Sequence, residues 1–253
     1  MKKLGIIIQA RMSSSRLPNK VLANIEGKPM IWHLINRLKH SKFSPLNIIA
    51  TSNQDEDKVL LEVSENLNIE FYSGSLDDVL DRFYQASLKF NIDPIIRITA
   101  DCPVIDPEVV DKVIQAFIDG NYDYVSNGHP PTYPDGLDTE IFSFKTLEKV
   151  WKEAKLSSER EHVTSYILKN SNLFKIYNVV NDVDLSHLRW TVDEKDDLEF
   201  IREIYKYLYK KEEIFLKREI LDLLKEKPEL IEINRFKRNK GYDKSVKLDK
   251  IVK

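Results

Sequence analysis

Apolar runs and amphipathic stretches alternate along the first half of this chain. Leu4-Gly5-Ile6-Ile7-Ile8 is an unbroken apolar run. That is the composition of a strand buried on both faces, and it predicts a strand over 4–9. A helix is predicted from Lys28-Pro29, with proline in its first turn and Met30, Leu34, Ile35 and Leu38 recurring on one face. The cycle then repeats. A strand over 47–51 precedes a helix over about 55–67 that carries Val59, Leu60, Val63 and Leu67. A strand over 70–72 precedes a helix over about 77–90. A strand over 94–99 ends near Asp101, and Asp106-Pro107 caps and opens the next helix. Repeated βα units predict an α/β protein whose mostly parallel sheet is covered by helices on both faces.

The pattern changes after residue 126. Residues 127–136 (Asn-Gly-His-Pro-Pro-Thr-Tyr-Pro-Asp-Gly) are dense in turn formers and predict a long loop of the kind that carries function. Strand-like 139–144, helices over about 145–155 and 159–169, and strand-like 174–180 follow. Leu188-Arg189-Trp190-Thr191-Val192-Asp193 reads as a further strand ending on a carboxylate. Leu198, Ile201, Tyr205 and Leu208 mark a helix face, and a last helix is predicted over about 216–226. One domain is expected over 1–233, with a variable acceptor or dimerisation part at about 127–187 and a tail at 234–253. The apolar stretch 137–151 is a candidate for pairing subunits.

Composition narrows the partners. With 253 residues and a net charge of −2, the chain has no general attraction for nucleic acid or acidic membranes. Residues 234–253 nevertheless hold eight Lys/Arg against two Asp/Glu, while residues 1–233 hold 31 against 39. A solvated, partly mobile basic terminus is expected. The one cysteine, Cys102, excludes a disulfide or Cys-rich metal framework. No run reaches about 18 apolar residues, and the chain enters its first strand without a leader-like segment, so no membrane association and a cytoplasmic location are expected.

The chemistry concentrates at predicted strand ends, where open α/β sheets bind ligands. Residues 9–22 carry three cations (Arg11, Arg16, Lys20) and three hydroxyls (Ser13, Ser14, Ser15) just past the first strand. Arginine grips phosphate oxygens bidentately and lysine acts as a point charge, so the loop suits a polyphosphate. It contains no glycine, and neither common nucleotide-binding glycine motif occurs. Side chains must therefore carry more of the binding than backbone N–H groups. Asp101 and Asp193 sit at two further predicted strand ends. If those strands flank the first, both carboxylates meet the loop, and Mg²⁺ prefers one or two carboxylates together with phosphate oxygens and waters. Either aspartate could instead cap the helix that follows it. For Asp101 that job already belongs to Asp106. Asp77 could likewise be a cap.

Residues 8–22 (Ile-Gln-Ala-Arg-Met-Ser-Ser-Ser-Arg-Leu-Pro-Asn-Lys-Val-Leu) with Gly27-Lys28-Pro29-Met30 resemble the cytidylyltransferases that activate sugar acids. The likeness is greatest to the spore coat polysaccharide biosynthesis protein F group, which is related to the acylneuraminate and 3-deoxy-manno-octulosonate cytidylyltransferases. Further matching stretches are Gly74-Ser75 with Asp77 to Arg82, Arg97 to Pro103, Tyr133 to Asp138, Arg160 to Thr164, Leu188 to Glu194, and Asn239 with Gly241-Tyr242. The family's glycines are replaced here by Ser13 and Asn19, and asparagine tolerates positive φ.

The resemblance implies a Rossmann-like three-layer α/β/α sandwich of the nucleotide-diphospho-sugar transferase type, commonly a homodimer. It implies that Ala10, Arg11, Ser13, Arg16, Lys20, Asp77 and Arg82 bind the nucleotide. Asp101 and Asp193 would hold Mg²⁺ and, with Arg11 and Lys20, support catalysis. Tyr133, Asp135, Asp138, Glu140, Glu161, His162 and Arg189 would face the acceptor. The implied reaction joins CMP from CTP to an acidic sugar for surface polysaccharide synthesis and releases pyrophosphate. A metal-dependent glycosyltransferase is the alternative enzyme, although Asp101-Cys102-Pro103 lacks the usual Asp-x-Asp. A non-catalytic nucleotide-binding subunit is the third reading.

Overall fold

The computed structural model describes residues 2–211, 213–234 and 246–252. Its central element is a seven-stranded sheet in the order β5-β4-β1-β6-β8-β7-β9. The strands are β1 (Lys3–Gln9), β4 (Leu46–Ser52), β5 (Glu70–Gly74), β6 (Ile92–Thr99), β7 (Tyr124–Ser126), β8 (Glu140–Phe142) and β9 (Ile176–Asn178). A separate two-stranded ribbon pairs β2 (Asn24–Ile25) with β3 (Lys28–Pro29). The β5, β4, β1 and β6 set is parallel, β8 runs antiparallel to β6 and β7, and β7 pairs in parallel with β9. The sheet is thus mostly parallel and flanked by helices, as the βα alternation predicts.

Strand β1 lies between β4 and β6, and its isoleucines serve two cores. Ile6 and Ile8 face a cluster containing Ile31, Leu34 and Leu38 of α1 (Met30–Leu38), Leu60 of α2 (Val59–Leu67), and Val110, Val113 and Ile114 of α4 (Pro107–Asp119). Ile7 faces the opposite cluster, with Leu80 and Phe83 of α3 (Val79–Phe90) and Leu147 and Val150 of α5 (Phe144–Glu153). Truncating one such fully buried side chain to alanine costs about 2–5 kcal/mol. A third cluster joins Met30 and Trp190 to α8 (Lys195–Leu208) and α9 (Lys217–Glu226).

Three expectations change. Residues 188–193 form no strand; Arg189 makes an isolated bridge to Asp135, and Leu188, Trp190 and Val192 pack into the third cluster. Their period-two burial is satisfied by helices rather than by sheet neighbours. The helix expected over 159–169 is broken into α6 (Ser157–Glu161) and α7 (Ser165–Lys169), with Val163 between them at φ +43°. A left-handed β-branched residue is a conformational outlier that costs on the order of 1–3 kcal/mol. The stretch 137–151, expected to pair subunits, contributes Leu137, Ile141, Phe142, Leu147 and Val150 to this chain's own core.

The described end of the tail, residues 246–252, is largely exposed, as expected of a solvated terminus, but it is anchored at its backbone. Ser157 N–H donates to the Lys250 carbonyl at 2.8 Å, and Val252 N–H donates to Lys155 at 2.9 Å. Asn239, Gly241 and Tyr242 lie outside the described residues.

Candidate active site

The carboxyl ends of β1 and β6 open into a cavity of about 620 Å³. Gln9 ends β1, and the loop after it is pinned by Met12, which is buried. The Met12 carbonyl accepts N–H bonds from Ser14 at 2.9 Å and Asn19 at 3.0 Å, folding the loop back on itself. Asn19 adopts φ +60° and starts a short 3-10 turn, Lys20–Leu22, that buries Lys20 and Val21. The loop needs left-handed backbone there, and asparagine supplies it at modest cost.

The buried ammonium of Lys20 joins three strand and loop ends. It donates to Asp101 Oδ2 at 2.8 Å, to Asp193 Oδ1 at 2.9 Å and to the Val192 carbonyl at 2.7 Å. Asp101 follows β6, and its own carbonyl accepts Val192 N–H at 2.8 Å, which draws residues 191–193 to the sheet rim without a strand. Burial raises the Asp101 carboxyl, but the Lys20 charge and hydrogen bonds outweigh it and hold the group at about 2. Burial likewise lowers Lys20, yet the two aspartates keep it above its ordinary value.

Asp193 does not cap its helix. Glu194 holds the cap position of α8, and Asp197 Oδ2 accepts the N–H groups of Asp193 and Glu194, each at 2.9 Å. The Asp193 carboxylate is thereby left to Lys20, Arg16 and Arg189. Arg189 also reaches Asp135 at 2.8 Å and Asp197 at 2.9 Å. Burial opposes the Arg189 charge, but these carboxylates win and raise its pKa. Gly136 makes the approach possible. It sits at φ +111°, and a Cβ there would meet Thr191 N and Trp190 C at 2.6 Å.

Ala10, Arg11, Arg16, Lys20, Arg82, Asp101, Glu161, His162 and Asp193 line the cavity together. Arg82 is buried, and its Nε and Nη1 find no hydrogen-bond partner among the described residues. Burial, reinforced by the nearby Arg11 charge, lowers its pKa to about 10. A buried guanidinium with free donors beside a second cation calls for an anion. On the far wall, the break at Val163 separates His162, which lines the cavity, from Thr164, which bonds Glu140 at 2.6 Å. Burial pushes His162 below its ordinary value, with Glu161 pulling the other way.

The remaining expected residues sit apart from that lining. Ser13 is partly buried on the loop, and Asp77 is exposed; the cap of α3 is Asp78, which accepts Asp81 N–H at 2.9 Å. Tyr133 is buried in the third cluster under Lys217. Asp135 pairs with Arg189, and Asp138 accepts Gly136 N–H at 3.5 Å. Glu140 is buried against Arg97, Tyr124 and Thr164. Arg97 and its neighbour positions Gln9 and Thr99 line the cavity although the motifs that contain them give them no site role. The signal available was a charge inside the apolar strand Ile95-Ile96-Arg97-Ile98. Ser14, Ser15, Val21, Ala100 and Leu248 also line the cavity.

Residues 5–245 match the model of the cytidylyltransferase family. The chain belongs to that family. Spore coat polysaccharide biosynthesis protein SpsF of Bacillus subtilis is 30% identical over 238 residues, 90% of this chain and 97% of that protein. An uncharacterized protein of Methanocaldococcus jannaschii is 39% identical over 244 residues, 96% of this chain and 98% of its own length. The structure of a cytidylyltransferase from Leptospira borgpetersenii superposes with a TM-score of 0.88 at 31% identity, covering 94% of this chain and all of that one. This cytidylyltransferase chain is accordingly a nucleotidyltransferase, and its fold is that of the nucleotide-diphospho-sugar enzymes. Among the described residues no helix is long and apolar enough to cross a membrane.

Proposed function

We propose that this enzyme transfers CMP from CTP to an acidic sugar, releasing pyrophosphate, with Mg²⁺ held by Asp101 and Asp193. The observation that carries the reading is the shared ammonium. Two carboxylate oxygens at 2.8 and 2.9 Å from one Lys20 nitrogen are close enough to converge on a single cation. Mg²⁺ prefers one or two carboxylates together with waters and phosphate oxygens, which two aspartates beside a triphosphate would supply. When bound, the ion would offset charge on phosphate oxygens during displacement.

The chain's own residues supply the rest. Arg11, Arg16 and Arg82 would neutralise the triphosphate from the loop side, and Lys20 would follow the charge as pyrophosphate departs. The acceptor hydroxyl would approach the α-phosphorus from the wall carrying Glu161 and His162. Positioning, rather than covalent participation by the protein, would lower the barrier. The Bacillus relative's name supports a role in polysaccharide synthesis. We also place the reaction in the cytoplasm and the working enzyme as a homodimer. Exposed Tyr177, Val180 and Val183 at the β9 end of the sheet supply an apolar surface for that pairing.

The test is pyrophosphate release from CTP and Mg²⁺ across a panel of sugar acids, with the CMP conjugate identified by mass. Release with a sugar acid is the expected result. Transfer from a nucleotide sugar without pyrophosphate would identify a glycosyltransferase instead, and absence of any turnover with intact nucleotide binding would identify a binding subunit.

A further inference from the structure

Asp57 is fully buried, yet the reaction just described makes no use of it. It lies in the 3-10 turn Asp55–Lys58 that follows β4. Its Oδ1 accepts the backbone N–H of Met12 at 2.6 Å. Its Oδ2 accepts the N–H of Ser52 at 3.3 Å and also the Ser52 hydroxyl. Asp57 therefore clamps the phosphate-facing loop, through the residue directly after Arg11, to the end of a neighbouring strand. Its charge, like that of Asp78, also acts on Arg82, the buried guanidinium whose Nε and Nη1 have no partner among the described residues.

Arg11 and Arg82 are like charges facing one cavity, and each repels the other until an anion arrives. A buried carboxylate that fixes the loop at Met12 keeps Arg11 in place beforehand, and its charge, with that of Asp78, partly offsets Arg82. Ser52, at the end of β4, fixes the carboxylate in turn, so its orientation does not depend on ligand.

We propose that Asp57 is a positioning residue for the triphosphate: by clamping Met12 to the end of β4 it preassembles the loop that carries Arg11 on the cavity that Arg82 also lines. The proposal rests on the triphosphate reading of the cavity. Asp57→Asn conserves size, removes the charge and turns an amide toward the Ser52 donors.

The test is calorimetric titration of the full chain with inorganic tripolyphosphate and with CTP, alongside the melting temperature of each protein without ligand. The expected result is about a tenfold or greater loss of tripolyphosphate and CTP affinity in folded Asp57→Asn, the effect of weakening a charge-assisted contact. Unchanged affinity with only a lowered melting temperature assigns Asp57 a purely structural role and overturns the proposal. If Asp57→Asn fails to fold, Ser52→Ala decides, since it removes the hydroxyl that orients the carboxylate while leaving the charge in place. A smaller loss of tripolyphosphate affinity supports the proposal, and no loss overturns it. Wild-type protein that binds neither ligand overturns the triphosphate reading as well, so the two failures are separable.

Discussion

Lys20 and Asp101 stand 2.8 Å apart at the rim of the sheet, and each displaces the other's ionisation in the direction that favours the pair. Asp101 is held at about 2, below its ordinary 3.8. Its contribution to stability is therefore present above the ordinary value and is lost as pH falls through about 2. Lys20 is raised, so its contribution is present below its ordinary 10.5 and fades as pH rises above it. Lys20→Met removes the attraction and leaves burial as the largest influence on Asp101, which pushes the carboxyl up. The variant then gains stability on protonation. The difference in melting temperature between wild type and Lys20→Met should shrink from pH 7 to pH 5; a constant difference would contradict the pairing.

Asp101→Asn should still fold, because the residue lies at the cavity wall and outside the apolar clusters, but with a lowered melting temperature at pH 7, because the Lys20 pair is lost. Turnover should fall by about two to three orders of magnitude, since one group aimed at developing charge is commonly worth that much. Steady-state pyrophosphate release at saturating CTP and Mg²⁺ is the measurement. Near-wild-type turnover would remove Asp101 from the proposed metal site.

Much of this geometry is legible along the chain, and the exceptions have physical causes. The order of β1, β4, β5 and β6 with their helices follows from apolar runs alternating with amphipathic stretches. Asp101 is legible because charge at the end of a buried strand has little structural reason to be there, and Lys20 because it belongs to a cation-rich loop after β1; Asp193 is reached through a strand that does not form. Residues 188–193 mislead because alternation reports burial, not what does the burying; Trp190 and Val192 are covered by the α8 and α9 cluster. The partners of Arg189 are invisible to spacing, since Asp135 comes within reach only when Gly136 lets two loops touch. Asp57 carries no motif, and its role depends on a contact with Met12 across 45 positions.

Gly136 offers a direct check on how Asp193 is placed. Gly136→Ala introduces a Cβ 2.6 Å from backbone atoms of Trp190 and Thr191, at a φ that side chains rarely adopt. The loops must separate, and the Asp135–Arg189–Asp193 chain of contacts loosens with them. Destabilisation of about 1–3 kcal/mol by denaturant titration is expected. Turnover of the folded fraction should fall as well. A variant destabilised to that extent but fully active would show that Asp193 is positioned independently of this contact.

The tail supplies the last prediction. Asp249 Oδ1 accepts Ser158 N–H at 2.8 Å, and Oδ2 accepts the Ser158 hydroxyl at 2.8 Å. Asp249 thus acts on the first turn of α6 as a capping side chain does, but from a remote part of the chain, while Glu161 at the other end of α6 and adjoining His162 line the cavity. Burial opposes the Asp249 charge, but the Ser158 bonds and Lys169 hold its pKa below the ordinary value. Asp249→Ala should cost about 0.5–2 kcal/mol, the usual effect of losing a helix cap. Because the cap acts on α6 and not on the phosphate-facing loop, hydrogen exchange should accelerate at residues 157–162 while CTP affinity stays unchanged. Unaltered exchange in that segment would mean that α6 holds Glu161 and His162 without help from the tail.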